Sequence, residues 1–300
     1  MPVAEGTSHP TGQDVPAFQE QAEQLRLWDV PAPLGPGCVP GAESAPPRVL
    51  LAEDNMIAQA SIRRLLEQQG MEVICAANGR EALEWFNDGC YDVVMLDILM
   101  PDMDGFEVTS RIREKERLEG AGQTPVIALT SYSLKAVNDK CRSVGMNGYL
   151  SKPVSDNGLR QLFAGLRGNS AYPREGTGGS EGVGELPLLD VKGSLGNLGG
   201  DRELYREIVG MFVESAPEII GGLIAALDSG DAALAERHAH NLKGMAANIG
   251  AQRLAELARV IQVSVRTTLK GEYHAWILRL RDEFESLTAA FAAAGETFAP

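Results

Sequence analysis

The fold is decided by Asp92-Val93-Val94-Met95-Leu96-Asp97-Ile98-Leu99-Met100-Pro101-Asp102-Met103-Asp104-Gly105. Four apolar residues run without a polar interruption into Asp97, and a Pro- and Gly-bearing turn follows. A run of that length, closed by turn residues, predicts a strand buried on both faces. Working outward, Arg48–Ala52, Met71–Cys75, Pro125–Leu129 and Gly148–Leu150 predict further strands. Helical patterns lie between them at Met56–Gln69, Gly79–Asn87, Phe106–Leu118, Leu134–Val144 and Ser155–Leu166. Five strands alternating with five helices predict an α/β domain over 47–167, with a doubly wound five-stranded parallel sheet.

Ligands of such sheets sit outside the carboxyl ends of the strands. The first strand ends in Glu53 and Asp54, the third in Asp97 and the fourth in Thr130, and Lys152 follows the fifth. Carboxylates gathered in one pocket repel each other. A hard divalent cation, Mg2+, relieves that repulsion with oxygen ligands. Asp54 and Asp97 are the expected direct ligands, with Glu53 direct or through water and the Leu99 backbone carbonyl as a further one. A carboxylate beside such an ion can attack phosphorus and become an aspartyl phosphate. Lys152 and the Thr130 hydroxyl are then expected to hold phosphoryl oxygens.

From Leu188 the pattern is wholly helical, with predicted helices at Leu189–Leu198, Arg202–Glu214, Glu218–Leu227, Ala232–Asn248, Ala251–Val265 and Glu272–Ala294. Asp201 and Asp231 are placed as N-caps, and Pro217 suits a first helical turn. Short connections predict an all-α up-down bundle over 187–297. Mid-helix stands Ala239-His240-Asn241-Leu242-Lys243-Gly244. Helical side chains lean towards the N-terminus, so Gly244 leaves the His240 ring uncovered and Lys243 leans towards it. Glycine there costs about 1 kcal/mol relative to alanine, which suggests an imidazole kept open for a partner. At its ordinary pKa near 6.5 an exposed ring is mostly neutral and nucleophilic. His9, His238 and His274 carry no such surroundings.

Residues 1–46, rich in Pro, Gly, Gln and Glu, predict a disordered tail with one short helix over Ala17–Trp28. Residues 168–186 predict a flexible linker spanning about 25 Å on average. The net charge of -14 without a basic run disfavours nucleic acid. No apolar run reaches the roughly 20 residues of a membrane span, and no secretory signal is read. Cys38, Cys75, Cys90 and Cys141 match no zinc spacing. Together these features predict a cytoplasmic protein.

The segments Leu50–Asn55, Val94–Gly105, Ala128–Ser131 and Gly148–Pro153 closely resemble those of response-regulator receiver domains. The resemblance implies phosphorylation on Asp97, strand order 2-1-3-4-5, a cis Lys152–Pro153 peptide and Tyr149 as the switch aromatic that turns inward when Thr130 moves. The detail is similar to receivers of hybrid sensor kinases, although Ala58 stands where those often have a second Asn. Ala239–Ala251, with Leu198–Tyr205, resembles histidine-phosphotransfer (HPt) domains. That implies a four-helix bundle carrying phosphate on His240. Asn241 departs from the small or hydroxyl residues commoner there. The expected function is a two-component phosphorelay between a sensor histidine kinase and a downstream response-regulator receiver, in either direction. No ATP-binding box is read, so a phosphotransfer protein is expected rather than an enzyme. The alternatives are the C-terminal part of a hybrid histidine kinase and a binding module switched by phosphorylation.

Overall fold

A computed structural model describes residues 25–27, 45–131, 134–166, 186–268 and 273–293. The linker expected over 168–186 lies almost wholly outside them, as does most of the N-terminal tail.

The first domain holds β2 (Arg48–Ala52), α1 (Met56–Gln68), β3 (Glu72–Ala76), α2 (Gly79–Asp88), β4 (Val93–Asp97), α3 (Gly105–Glu119), β5 (Val126–Thr130), α4 (Leu134–Ser143), β6 (Gly148–Ser151) and α5 (Asp156–Leu166). Strands β2 to β6 are parallel, in the order β3-β2-β4-β5-β6. This is the five-stranded doubly wound sheet that the alternation predicts. Every residue of β4 and β5 is buried, because helices cover both faces. One face packs Leu50, Val94, Leu96 and Phe106, and the other packs Leu51, Met95, Leu65 and Leu159.

The N-terminal tail departs from expectation. Leu25–Leu27, read as part of a helix, forms β1 and pairs antiparallel with β6, opposite Gly148–Leu150. The local helical spacing loses here to the unpaired N–H and C=O groups of an edge strand, which another strand satisfies. The rest of the expected helix lies outside the described residues.

The second domain is α6 (Val191–Asn197), α7 (Arg202–Ser229), α8 (Ala232–Ile249), α9 (Gln252–Ser264) and α10 (Tyr273–Ala293). The two helices expected on either side of Pro217 are one, α7, with the proline inside it. A proline removes one intrahelical bond. The buried series Leu204, Ile208, Phe212, Ala216, Ile220, Leu223 and Leu227 continues through it on one face, so packing holds the helix together. Long and apolar enough to cross a membrane by length and composition, α7 spends that apolar face on the bundle core. Asp201 and Asp231 cap α7 and α8 as expected, accepting from Leu204 and Leu234 N–H.

The two domains are packed together. Ile57 of α1 is 1% exposed and belongs to the apolar cluster of the helical domain. Asp201 accepts a 2.6 Å hydrogen bond from Gln68 Nε2, with Arg64 Nε 3.7 Å away.

Candidate phosphotransfer site

The pocket is assembled by strand ends. Asp97 is the last residue of β4, and Glu53 and Asp54 follow β2 directly. Gln59 in α1 donates to the Glu53 and Ala76 carbonyls (3.0 and 3.1 Å), pinning the ends of β2 and β3 side by side. Gly105 opens α3 against the backbone of Asp97. A Cβ there would meet the Asp97 carbonyl oxygen at 2.4 Å, so only glycine lets the turn close over the strand end.

Glu53, Asp54 and Asp97 each bring a carboxylate oxygen within 4.8 Å of the others. Lys152 lies between two of them, 2.5 Å from Glu53 Oε2 and 2.8 Å from Asp97 Oδ2. These two oxygens are buried and take no further hydrogen bond. Burial pushes the Glu53 carboxyl up to about 8; Lys152 opposes this and Asp97 adds to it. Burial and the Asp97 charge push Asp54 up to about 6. Burial alone would lower the Lys152 ammonium, but Asp97 and Glu53 outweigh it and raise its pKa. One ammonium against three carboxylates leaves the pocket short of positive charge. The donor set, all oxygen and partly water-accessible through Asp54, is that of a hard divalent cation. Leu99 donates its N–H to Asp97 Oδ1 at 3.2 Å. Thr130 ends β5, paired with Ser151 beside Lys152. Tyr149 is 1% exposed, so its ring is turned inward here. The Lys152–Pro153 peptide is cis.

His240 on α8 faces this pocket. It is not the open, solvated ring that the sequence suggests. It is half-buried, and the residue that follows it, Asn241, is hydrogen-bonded to the receiver's Asn55. Burial pushes its pKa down to about 4; Asp97 pulls it up, while Lys243 and Lys152 push it down. The ring is therefore neutral near pH 7. Burial and the Lys152 charge push Lys243 down to about 8. Lys243 Nζ donates to Gln262 Oε1 at 2.9 Å, and Gln262 Nε2 lies 2.9 Å from His240 Nδ1. Because Gln262 gives its oxygen to Lys243, its N–H faces Nδ1, which places the imidazole proton on Nε2.

Asn55, Asn241 and Gln262 are site residues that the sequence reading did not single out as such. Asn55 Nδ2 donates to the Asn241 carbonyl (3.0 Å) and to Asn241 Oδ1 (2.6 Å). Gln262 lies 22 residues from His240, on α9, and no local spacing marks it. Asn241 did carry a signal, as the residue that departs from the HPt pattern.

Comparison with known proteins agrees with both halves. A family model for the response regulator receiver domain matches residues 49–164, and one for the Hpt domain matches 207–290. The sensor histidine kinase GacS of Pseudomonas protegens is 32% identical over 70% of this chain and 23% of its own length. The aerobic respiration control sensor protein ArcB of Escherichia coli is 28% identical over 79% of this chain and 30% of its own. The chain thus spans less than a third of these relatives. Among solved structures, the receiver domain of the sensor histidine kinase PA1611 from Pseudomonas aeruginosa, which has a magnesium ion in its active-site cleft, is 32% identical over 41% of this chain and 99% of that one, with a TM-score of 0.38. The chain belongs to the two-component phosphorelay proteins, as a response-regulator receiver domain followed by an Hpt domain.

Proposed function

We propose that Asp97 and His240 of one chain exchange a phosphoryl group. The observation that carries this reading is the contact of Asn241 on α8 with Asn55 of the receiver, which leaves His240 within electrostatic reach of both Asp97 and Lys152. Glu53, Asp54, Asp97 and the Leu99 carbonyl would hold Mg2+, which when bound neutralises charge on the phosphoryl group. Lys152 pairs with the Asp97 carboxylate before phosphorylation and with a phosphoryl oxygen after it. The Thr130 hydroxyl donates to another oxygen, and the position of Tyr149 follows Thr130.

In transfer to His240, a bond from Nε2 to phosphorus forms as the bond from phosphorus to the Asp97 oxygen breaks. Asp97 leaves as a carboxylate, paired again with Lys152. Nε2 attacks through its lone pair, so the imidazole proton must first move to Nδ1 by exchange with solvent. Gln262 then turns its carbonyl to that N–H, and Lys243, released from Gln262, meets the phosphoryl oxygens. The reverse transfer uses the same groups. A sensor histidine kinase is the source of phosphate and a downstream receiver its destination, or the flow runs backwards. The kinship to GacS and ArcB, both sensor proteins, supports this pairing. The reactions belong to the cytoplasm, where such partners meet a nucleotide-derived phosphate.

The test is labelling with a small phosphodonor and Mg2+. Aspartyl phosphate is alkali-labile and phosphohistidine acid-labile, so the two are told apart. In the wild-type chain, label is expected on Asp97 first and then on His240, at a rate independent of protein concentration. Asp97→Asn should take no label from the donor, and His240→Gln should keep it on aspartate. Label that stays on Asp97 equally long in wild type and His240→Gln would overturn the proposal.

A further inference from the structure

The two domains meet where a helix backbone, as well as side chains, is recognised. Asn55 is the N-cap of α1, and its Oδ1 accepts the Ala58 N–H at 3.1 Å. With the oxygen so engaged, Nδ2 must point away from α1. Both of its acceptors belong to one residue of α8, the carbonyl and the Oδ1 of Asn241. Asn55 is only 5% exposed, while Asn241 is half-buried.

A carbonyl in mid-helix is normally shielded by the side chains of the following turn, which lean back over it. Three residues beyond Asn241 stands Gly244. A Cβ built on Gly244 would lie 3.2 Å from Asn55 Nδ2, closer than ordinary contact. The missing side chain, which the sequence explains by access to the imidazole, is filled here by the receiver's asparagine. Asn55 directly follows Asp54, and Asn241 directly follows His240. The contact therefore lies one residue from the Asp54 carboxylate of the pocket on one side and from His240 on the other.

We propose that Asn55, Asn241 and Gly244 form a clasp that registers His240 against Asp97 and selects the receivers with which His240 exchanges phosphate, favouring those that present a carboxamide directly after the acidic pair. This rests on the exchange between Asp97 and His240 proposed above. Neither asparagine touches the reacting atoms, so both are positioning residues. Asn241 contributes what a small or hydroxyl residue at its place lacks: a second acceptor that reaches the Asn55 amide. The same carboxamide caps α1 and holds α8, so the receiver's own helix start fixes the direction of the donor.

The test is a double-mutant cycle on the full chain, read as the rate at which label leaves Asp97 for His240 and normalised to the phosphorylated fraction. Asn55→Ser keeps a helix-capping hydroxyl but is too short to reach α8. Asn241→Ala keeps the helix and the backbone acceptor but loses Oδ1. Asn55→Ser is expected to slow transfer about tenfold and Asn241→Ala about fivefold, whereas Asn241→Ala added to Asn55→Ser slows it less than twofold further. Effects that multiply would overturn the clasp. Selection is read between chains, with His240→Gln chains as phosphodonors and Asp97→Asn chains as acceptors. Adding Asn55→Ser to the donor should slow transfer about tenfold to acceptors carrying Asn241, and at most threefold to acceptors carrying Asn241→Ala. Equal slowing to both acceptors also overturns it. A wild-type chain that never moves label from Asp97 to His240 would overturn the exchange reading and the clasp together, whereas wild-type transfer with a multiplicative cycle overturns the clasp alone.

Discussion

Without a divalent cation, the receiver should lose stability as pH rises, opposite to the usual behaviour of a carboxylate-rich domain. The cause is Glu53, whose carboxyl rises from 4.5 to about 8 because it is buried beside Asp97. A carboxylate with a raised pKa in the folded state favours folding only while it is protonated. Its penalty begins above pH 4.5, where the unfolded chain ionises, and is complete above about pH 8. At about 1.4 kcal/mol per pH unit this amounts to about 5 kcal/mol. Asp54, pushed up to about 6, adds the same sign over the lower part of that window. Even half of it is a large part of a domain's 5–15 kcal/mol. The assay is urea unfolding of the receiver, followed by circular dichroism in chelator at pH 5, 6.5 and 8.5. Stability should fall across the series, Glu53→Gln should flatten it, and millimolar Mg2+ should restore most of the loss at pH 8.5. Stability that holds or rises with pH in chelator, or a slope that Glu53→Gln leaves untouched, would refute the reasoning.

Three further outcomes follow from the helical domain and its contact. Gly244→Ala should raise the thermal stability of the bundle, since alanine is favoured over glycine by about 1 kcal/mol in a helix, yet slow transfer from Asp97 severalfold by crowding Asn55; differential scanning calorimetry beside a labelling time course checks both signs. Phe212→Ala empties a position that is 0% exposed and whose ring centroid lies 6.4 Å from that of Phe284, so it should cost the bundle about 3–5 kcal/mol in urea while Asp97 still takes label from a small donor. The docked His240 has its pKa near 4 against an ordinary 6.5, so protonation below pH 6.5 favours the undocked ring; transfer within the chain should weaken up to about tenfold from pH 6.5 to 5.5, measured on chains phosphorylated beforehand at neutral pH.

The sheet and the acidic pocket are legible in the sequence because they are written locally. Val93–Leu96 can hardly be anything but a doubly buried strand, and each strand end names its own polar residue. Glu53, Asp54, Asp97 and Lys152 do converge, because a parallel sheet brings every strand's carboxyl end to the same edge. What the sequence hides is what depends on a neighbour distant along the chain. Leu25–Leu27 has the spacing of a helix, and only the free edge of β6 makes it a strand. Pro217 reads as a helix start, and only the apolar face continuing on both sides of it shows that α7 runs through. The solvated His240 expected from Gly244 is a statement about the bundle alone. The Asn55–Asn241 contact joins residues 186 apart, and no periodicity carries that information.

The docking of α8 on the receiver beside His240 has a physical consequence for a relay. An imidazole in the receiver's pocket cannot at the same time meet a second receiver, so onward transfer requires the domains to part. Their contact is built for that. Besides Ile57, its named members are polar: the asparagine pair, and Asp201 with Gln68 and Arg64. When the domains separate, water takes over these hydrogen bonds, so each contributes only about 0.5–1.5 kcal/mol net. An apolar interface of equal extent would hold the ring shut. The charge balance works in the same direction: Asp97 attracts the Lys243–His240 side, whereas Lys152 repels it. Under the proposed exchange, phosphorylation of Asp97 would add negative charge and tighten docking when His240 is to attack. A phosphoryl group moved to His240 would face the restored Asp97 carboxylate, and repulsion would favour release. On the proposed exchange, docking would thus follow the position of the phosphate.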